Sequence, residues 1–109
     1  MKAVINNSAV IKSVKRADTF KTRLVGLLDR KSIEPDEGLL LLRCTSIHCF
    51  FMKFTIDVVY LSREMEVLYI ETVKPWKIGK MVKNCVHVLE LQEGAAKNIS
   101  VGDIIVFSE

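Results

Sequence analysis

The sequence predicts an α+β fold that is mainly β, with a small barrel-like sheet, one substantial helix at about residues 19–29 and one short helical turn. Short apolar runs of strand length recur along the chain between polar turns, whereas a single segment shows the helical period. With 109 residues, 50% of them hydrophobic and 27% charged, the chain is long and apolar enough for one core. We therefore expect residues 1–109 to form a single domain.

The helix is predicted from one apolar stripe at the i, i+4, i+7, i+8 positions, formed by Phe20, Leu24, Leu27 and Leu28. Asp18 or Thr19 can cap its first turn, because a side-chain oxygen there accepts an otherwise unpaired backbone N–H. Gly26 is unfavourable inside a helix, so its presence indicates a close packing contact on that face.

Extended structure is predicted at eight apolar runs: Ala3–Ile5, Ala9–Val14, Leu39–Leu42, Phe50–Phe54, Asp57–Leu61, Glu66–Val73, Val86–Leu91 and Ile104–Phe107. Asn6-Asn7-Ser8 suits the tip of a first hairpin, and Ser62-Arg63-Glu64 turns the chain into a second one. The unbroken run Leu39–Leu42 requires cover on both faces. Lys74–Asn84 is expected to be irregular, and Glu93–Lys97 to make the short helical turn.

Composition and cysteine usage exclude several classes of protein. The net charge of +3 is a mild basic excess, so nucleic-acid binding is not expected from charge alone. Cys44, Cys49 and Cys85 are odd in number and lack metal-ligand spacing, which favours reduced thiols in the cytoplasm, with no metal site and no cofactor. The apolar stretch Ile47–Leu61 is interrupted by charges and is too short for a membrane-spanning helix.

The candidate site is a cluster of polar side chains in and around this apolar stretch. Our first hypothesis is a non-enzymatic binding or accessory domain for a small polar or anionic ligand near His48, or for a protein partner. The predicted ligand-binding residues are Ser46, His48, Lys53, Asp57 and Trp76.

Two alternatives remain open at this stage. His48 could act as the base of a hydrolase or transferase, with Cys44 or Ser46 as the nucleophile. The lysines between Lys74 and Lys83, together with Trp76, could bind single-stranded nucleic acid weakly. The oligomeric state is not predicted.

Linked motifs at residues 23–30, 37–41, 44–61, 74–76, 88–95 and 101–103 resemble, in the expected order, those of the DUF192 family. The resemblance implies a small, β-barrel-like α+β domain and no known reaction. It singles out Arg23, Gly26, Arg30, Gly38, Ser46, His48, Met52, Asp57, Pro75, Trp76, Glu90, Gly94 and Asp103. Of these, Arg23, Gly26, Arg30, Gly38, Glu90, Gly94 and Asp103 are expected to be structural or motif residues.

Overall fold

The computed structural model describes residues 1–6, 9–17, 32–44 and 53–109. The strands in this part of the chain are β1 (Lys2–Ile5), β2 (Ala9–Ile11), β3 (Ser13–Ala17), β4 (Glu37–Leu41), β5 (Ile56–Leu61), β6 (Val67–Val73), β7 (His87–Gln92) and β8 (Ile105–Ser108). They form a three-stranded sheet of order β2-β1-β8 and a five-stranded sheet of order β3-β4-β7-β5-β6. The pairing of β3 with β4 is parallel, and the other pairings between these strands are antiparallel.

The five-stranded sheet is buried on both faces, which carry different side chains because residues alternate along each strand. One face contributes Leu39, Val58, Tyr60 and Val88 to a first apolar cluster, together with Phe54. The opposite face contributes Leu40, Val59, Leu61, Leu89 and Leu91 to a second cluster, where Ala3, Ile5 and Ile105 of the three-stranded sheet pack against them. The apolar pattern of β4 is thereby explained, and the expectation that both faces of Leu39–Leu42 are covered is confirmed for Leu39, Leu40 and Leu41.

The predicted α+β class with a barrel-like sheet is wrong for the described residues, which are all-β. Neither sheet closes on itself, because β3 and β6 are the edges of the larger sheet and β2 and β8 those of the smaller one. The helix predicted at residues 19–29 lies outside the described residues. Contact between the sheets includes the isolated bridge between Glu66 and Ile104, which joins their ends without continuing a ladder.

The short helical turn predicted at Glu93–Lys97 is also corrected. Residues 93–98 form a series of turns in which alternate N–H groups bond three residues back, as from Lys97 to the Gly94 carbonyl, while the N–H groups of Gly94 and Ala96 bond to Asp57. Gly94 has a φ of +89°, far from the helical region and favourable for glycine. A helix cannot continue through this backbone geometry.

The hairpin predictions have two outcomes. Both predicted hairpins are confirmed: β1 pairs with β2, with Ile5 opposite Ala9, and β5 pairs with β6, with Ile56 opposite Val73. The predicted strand Ala9–Val14, however, is divided at Lys12, so that β2 joins the small sheet and β3 the large one. A change of sheet lets Ile11 and Val14 enter the same apolar cluster from different strands.

Among the described residues, none belongs to a helix with the length and apolar character needed to cross a bilayer.

Candidate functional site

A carboxyl group lies inside the first apolar cluster. Glu90 is on the central strand β7, two residues after Val88, and therefore shares the face of Val88. Its neighbours across the sheet are Leu39 on β4 and Val58 on β5, both buried. We call this surface, formed by Leu39, Val58, Tyr60, Val88 and Glu90, the Glu90 face. Glu90 lies at the centre of this face and is 7% exposed.

The Glu90 carboxyl has no hydrogen-bond or ion-pair partner among the residues that the structure describes. Burial disfavours the charged form and raises the pKa of this carboxyl to about 7. In the same part of the chain, every fully enclosed side-chain oxygen or nitrogen has a hydrogen-bond partner. The Glu90 oxygens therefore keep the slight solvent contact that the 7% exposure records. At neutral pH this carboxyl can both donate and accept a hydrogen bond.

Asp57 is the matching carboxylate of the opposite face. It is 5% exposed and accepts three hydrogen bonds: from Thr72 Oγ1 at 2.8 Å, from the Gly94 N–H at 2.9 Å and from the Ala96 N–H at 3.1 Å. Two of these donors are backbone amides of the turn at residues 93–98. Asp57 thus fixes that turn against the sheet, and this accounts for a charge within a buried strand.

A second carboxylate on the Glu90 face is engaged in a different way. Glu71 on β6 lies opposite Val58, one strand further from Glu90. Its Oε2 accepts hydrogen bonds from the Tyr60 hydroxyl and, at 2.7 Å, from the Lys80 N–H. Burial, followed by this bond to Glu71, raises the pKa of Tyr60, so the phenol stays protonated. Glu71 therefore anchors the chain that follows β6.

Three of the predicted ligand-binding residues are described, and the strand order brings them to one end of the large sheet. Lys53 precedes β5, Asp57 lies in its second position and Trp76 follows β6, whose last residue pairs with the first of β5. Lys53 and Trp76 are exposed, whereas Asp57 points into the opposite face and is hydrogen-bonded there. Ser46 and His48 lie outside the described residues.

Residues 74–83, which we call the basic–apolar loop, extend from this end of the sheet. The Lys77 N–H donates to the Lys74 carbonyl at 3.2 Å and closes a four-residue turn. Trp76 occupies its third position with a φ of +68°, a left-handed conformation that large side chains rarely adopt. The turn holds the indole 58% exposed.

Cys85 and His87 have structural hydrogen-bond partners, and Cys44 packs against the first apolar cluster. The Cys85 thiol lies 3.3 Å from the His87 carbonyl oxygen, and burial raises its pKa, which disfavours the nucleophilic thiolate. His87 Nδ1 accepts the Arg43 N–H at 3.0 Å, while burial and then the Arg43 charge lower the pKa of the imidazole. Among the described residues, no group of three His, Cys, Asp or Glu side chains could hold a metal ion. Cys49 lies outside them.

Several of the expected structural residues have clear local roles. A Cβ on Gly38 would lie 2.9 Å from Leu91 Cδ2, so the pairing of β4 with β7 requires a residue without a side chain at this position. Asp103 accepts hydrogen bonds from Asn6 Nδ2 at 2.6 Å and from the Ser100 N–H at 2.8 Å, and joins the loop before β8 to the end of β1. Arg23, Gly26 and Arg30 lie outside the described residues.

Reasoning from residue patterns alone did not select Glu90 as a candidate for ligand binding. The signal was present, because Glu90 interrupts the apolar run Val86–Leu91 at an inward position, as Asp57 interrupts Ile56–Leu61. Two buried carboxylates in neighbouring strands are unusual, since each must find hydrogen-bond partners or become protonated.

The described residues form a small all-β fold of two packed sheets, with two buried carboxyl groups on the larger sheet. The chain belongs to the DUF192 family, an uncharacterised family whose model matches residues 2–107. It is 32% identical over 114 residues to a UPF0127 protein of Pyrococcus abyssi, covering 94% of this chain and 95% of that protein. A UPF0127 protein of Thermococcus kodakarensis is 34% identical over 98 residues, covering 84% of this chain and 62% of that one.

Two crystal structures have a similar fold. A protein of unknown function from Novosphingobium aromaticivorans superposes with a TM-score of 0.85 at 19% identity, covering 97% of this chain and 84% of that one. A putative transcription regulator from Sinorhizobium meliloti superposes with a TM-score of 0.81 at 20% identity, covering 96% and 91%. These likenesses establish the fold, and the family membership assigns no reaction.

Proposed function

We propose that the protein is a small binding domain that holds a polar ligand against the Glu90 face of the five-stranded sheet. The observation that carries this proposal is the Glu90 carboxyl, 7% exposed and with no partner among the described residues. A carboxyl in an apolar surrounding without a protein partner is available to a ligand that brings the missing hydrogen bond.

The chemistry of the carboxyl selects the class of ligand. With a pKa of about 7, Glu90 is present in both protonation states at neutral pH. A ligand hydroxyl, amide or ammonium group can donate to the charged form, and an ammonium group also neutralises it. Of the apolar neighbours of Glu90 on this face, Leu39 keeps slight exposure and would contact an apolar part of the same molecule, whereas Val58 is fully buried. We therefore expect a small amphiphilic molecule with one hydrogen-bond donor.

The predicted residues Ser46, His48 and Lys53 belong to this proposal as further ligand contacts. Lys53 is adjacent to Phe54, which packs against the cluster of the Glu90 face. Asp57 is assigned to the turn at residues 93–98, because its oxygens already accept hydrogen bonds from Thr72, Gly94 and Ala96.

A thermal-shift screen tests the proposal, with small amines, amides and polyols as probes. A binding compound raises the melting temperature of the wild type, because a ligand at 100 times its Kd contributes about 2.7 kcal/mol. The same compound should leave Glu90→Gln unshifted and should still shift Glu66→Gln, a control at an exposed glutamate.

Carbon-13 NMR of the glutamate carboxyls supplies a second measurement. The Glu90 signal should titrate near pH 7 without ligand, and a bound amine should lower this midpoint by stabilising the charged form. Equal thermal shifts in the wild type and Glu90→Gln, or a screen in which no compound shifts the wild type, would show that Glu90 does not hold a ligand.

A further inference from the structure

The basic–apolar loop carries exposed apolar and cationic side chains that the Glu90 site does not use. Six large apolar side chains are strongly exposed in the described residues, and three of them fall within residues 76–81. Trp76 is 58% exposed, Ile78 68% and Met81 72%. Their Cα atoms span at most about 17 Å of chain, so one surface can contact all three. Such a cluster indicates an interaction site.

The charge of the same loop restricts the partner. Lys74, Lys77, Lys80 and Lys83 are all exposed, and residues 74–84 contain no Asp or Glu. Lysines around a tryptophan and two aliphatic side chains are complementary to a surface that is anionic outside and apolar beneath. Trp itself favours this boundary, because its ring is apolar while its N–H is polar.

The scaffold holds the loop in place without covering these side chains. Glu71 Oε2 accepts the Lys80 N–H at 2.7 Å, and Lys80 Nζ lies 4.7 Å from the centroid of the Tyr69 ring. Gly79 is buried between the exposed Ile78 and Lys80. Anchoring of this kind presents Ile78 and Met81 outward and lowers the entropy lost on docking.

We propose that the basic–apolar loop docks the protein on the surface of a membrane that contains anionic phospholipid. Trp76, Ile78 and Met81 enter the interface, and the lysines contact headgroup phosphates. Single-stranded nucleic acid fits less well, because it requires stacking surfaces for successive bases and the loop offers one aromatic ring. Ile78 and Met81 would then remain exposed without a role.

Vesicle binding tests this proposal directly. Trp76 is the one tryptophan of the chain, so its fluorescence reports on the loop without a label. With vesicles of phosphatidylcholine and phosphatidylserine we expect a shift of its emission to shorter wavelength and co-sedimentation of the protein, both weakened by salt. Vesicles of pure phosphatidylcholine should bind much less.

Variants separate the charged and apolar contributions. Lys74→Gln, Lys77→Gln and Lys83→Gln combined should weaken binding on the order of 100-fold, at about fivefold per lysine. Ile78→Ala and Met81→Ala should each weaken it about tenfold. Trp76→Gly removes the ring while accepting the positive φ of the turn.

The matched controls lie elsewhere on the surface. Lys2→Gln, Lys12→Gln and Lys97→Gln remove the same charge, and Val101→Ala with Ile104→Ala removes exposed apolar groups away from the loop. These controls should bind vesicles like the wild type. The proposal is overturned if both lysine sets weaken binding equally, if the wild type binds no vesicles, or if single-stranded oligonucleotides shift the Trp76 emission while vesicles do not.

Discussion

Asp57 and Glu90 are buried carboxyls on neighbouring strands of one sheet, yet their surroundings differ. Asp57 faces the small sheet and accepts three hydrogen bonds, two of them from backbone amides of residues 93–98. Glu90 is offset by one residue on the opposite face and has no partner among the described residues. A buried carboxyl with donors around it holds the structure together, whereas one without them keeps hydrogen-bonding capacity that the described residues do not use, and on this capacity the proposed function rests.

Removal of Asp57 should have the largest effect on stability. Asp57→Ala leaves the Gly94 and Ala96 amides and the Thr72 hydroxyl without their acceptor, so we expect a loss of about 4 kcal/mol in the free energy of unfolding. Urea denaturation measures this loss. Thr72→Val, which removes one donor, should lose about 1 kcal/mol. If Asp57→Ala is no worse than Thr72→Val, the turn does not depend on this carboxylate.

Removal of the Glu90 carboxyl should stabilise the protein, and the gain in the free energy of unfolding should depend on pH. Burial raises the folded-state pKa from 4.5 to about 7, so the unfolded chain releases this proton first as the pH rises. Burial of Glu90 therefore costs the least stability below pH 4.5, where the carboxyl is protonated in both states. The free energy of unfolding of the wild type falls as the pH rises between about pH 5 and 8. Glu90→Gln should gain up to about 3 kcal/mol over the wild type at pH 8 and little at pH 4.

Urea denaturation at several pH values, with Glu66→Gln as the control, measures this dependence. A constant difference between Glu90→Gln and the wild type across the pH range would mean that Glu90 has an ordinary pKa, and the contrast with Asp57 would disappear.

Packing on the Asp57 side of the sheet can be tested at Gly38. A Cβ there would lie 2.9 Å from Leu91 Cδ2 and 3.3 Å from Leu89 Cδ1, so Gly38→Ala should lose about 1 to 2 kcal/mol. Addition of Leu91→Val makes room for this Cβ, so the double variant should lose less stability than the two single losses added together. Simple additivity in thermal unfolding would show that this face tolerates extra volume.

The smallest expected effect concerns the other carboxylate of the Glu90 face. Tyr60→Phe removes the hydroxyl that donates to Glu71, while the Lys80 N–H still donates to it. We expect a loss of about 1 kcal/mol in chemical denaturation, because one of two donors remains. A loss as large as that of Asp57→Ala would mean that the Tyr60 hydroxyl, rather than the Lys80 N–H, is the main hydrogen-bond donor that stabilises Glu71.

Patterns in the sequence predicted those parts of the fold that depend on local chemistry. The β5–β6 hairpin follows from two apolar runs and a polar turn, and the burial of both faces of β4 follows from four consecutive leucines. The division of Ala9–Val14 between two sheets could not be predicted, because it depends on pairing with β4, more than twenty residues later. Of the residues in the proposed site, the sequence predicts Ser46, His48 and Lys53 as ligand contacts, whereas it indicates Glu90 only as a motif residue without a role.

The sequence by itself determined the family, most strand positions and the presence of two carboxylates within apolar strands. The tertiary structure decided which of the two is satisfied, because the donors to Asp57 come from Thr72 and from a turn 37 to 39 residues away. It also decided that Trp76, Ile78 and Met81 face solvent, since exposure depends on where the rest of the chain packs. Hydrogen bonds and burial between distant segments are properties of the folded chain and not of any local pattern.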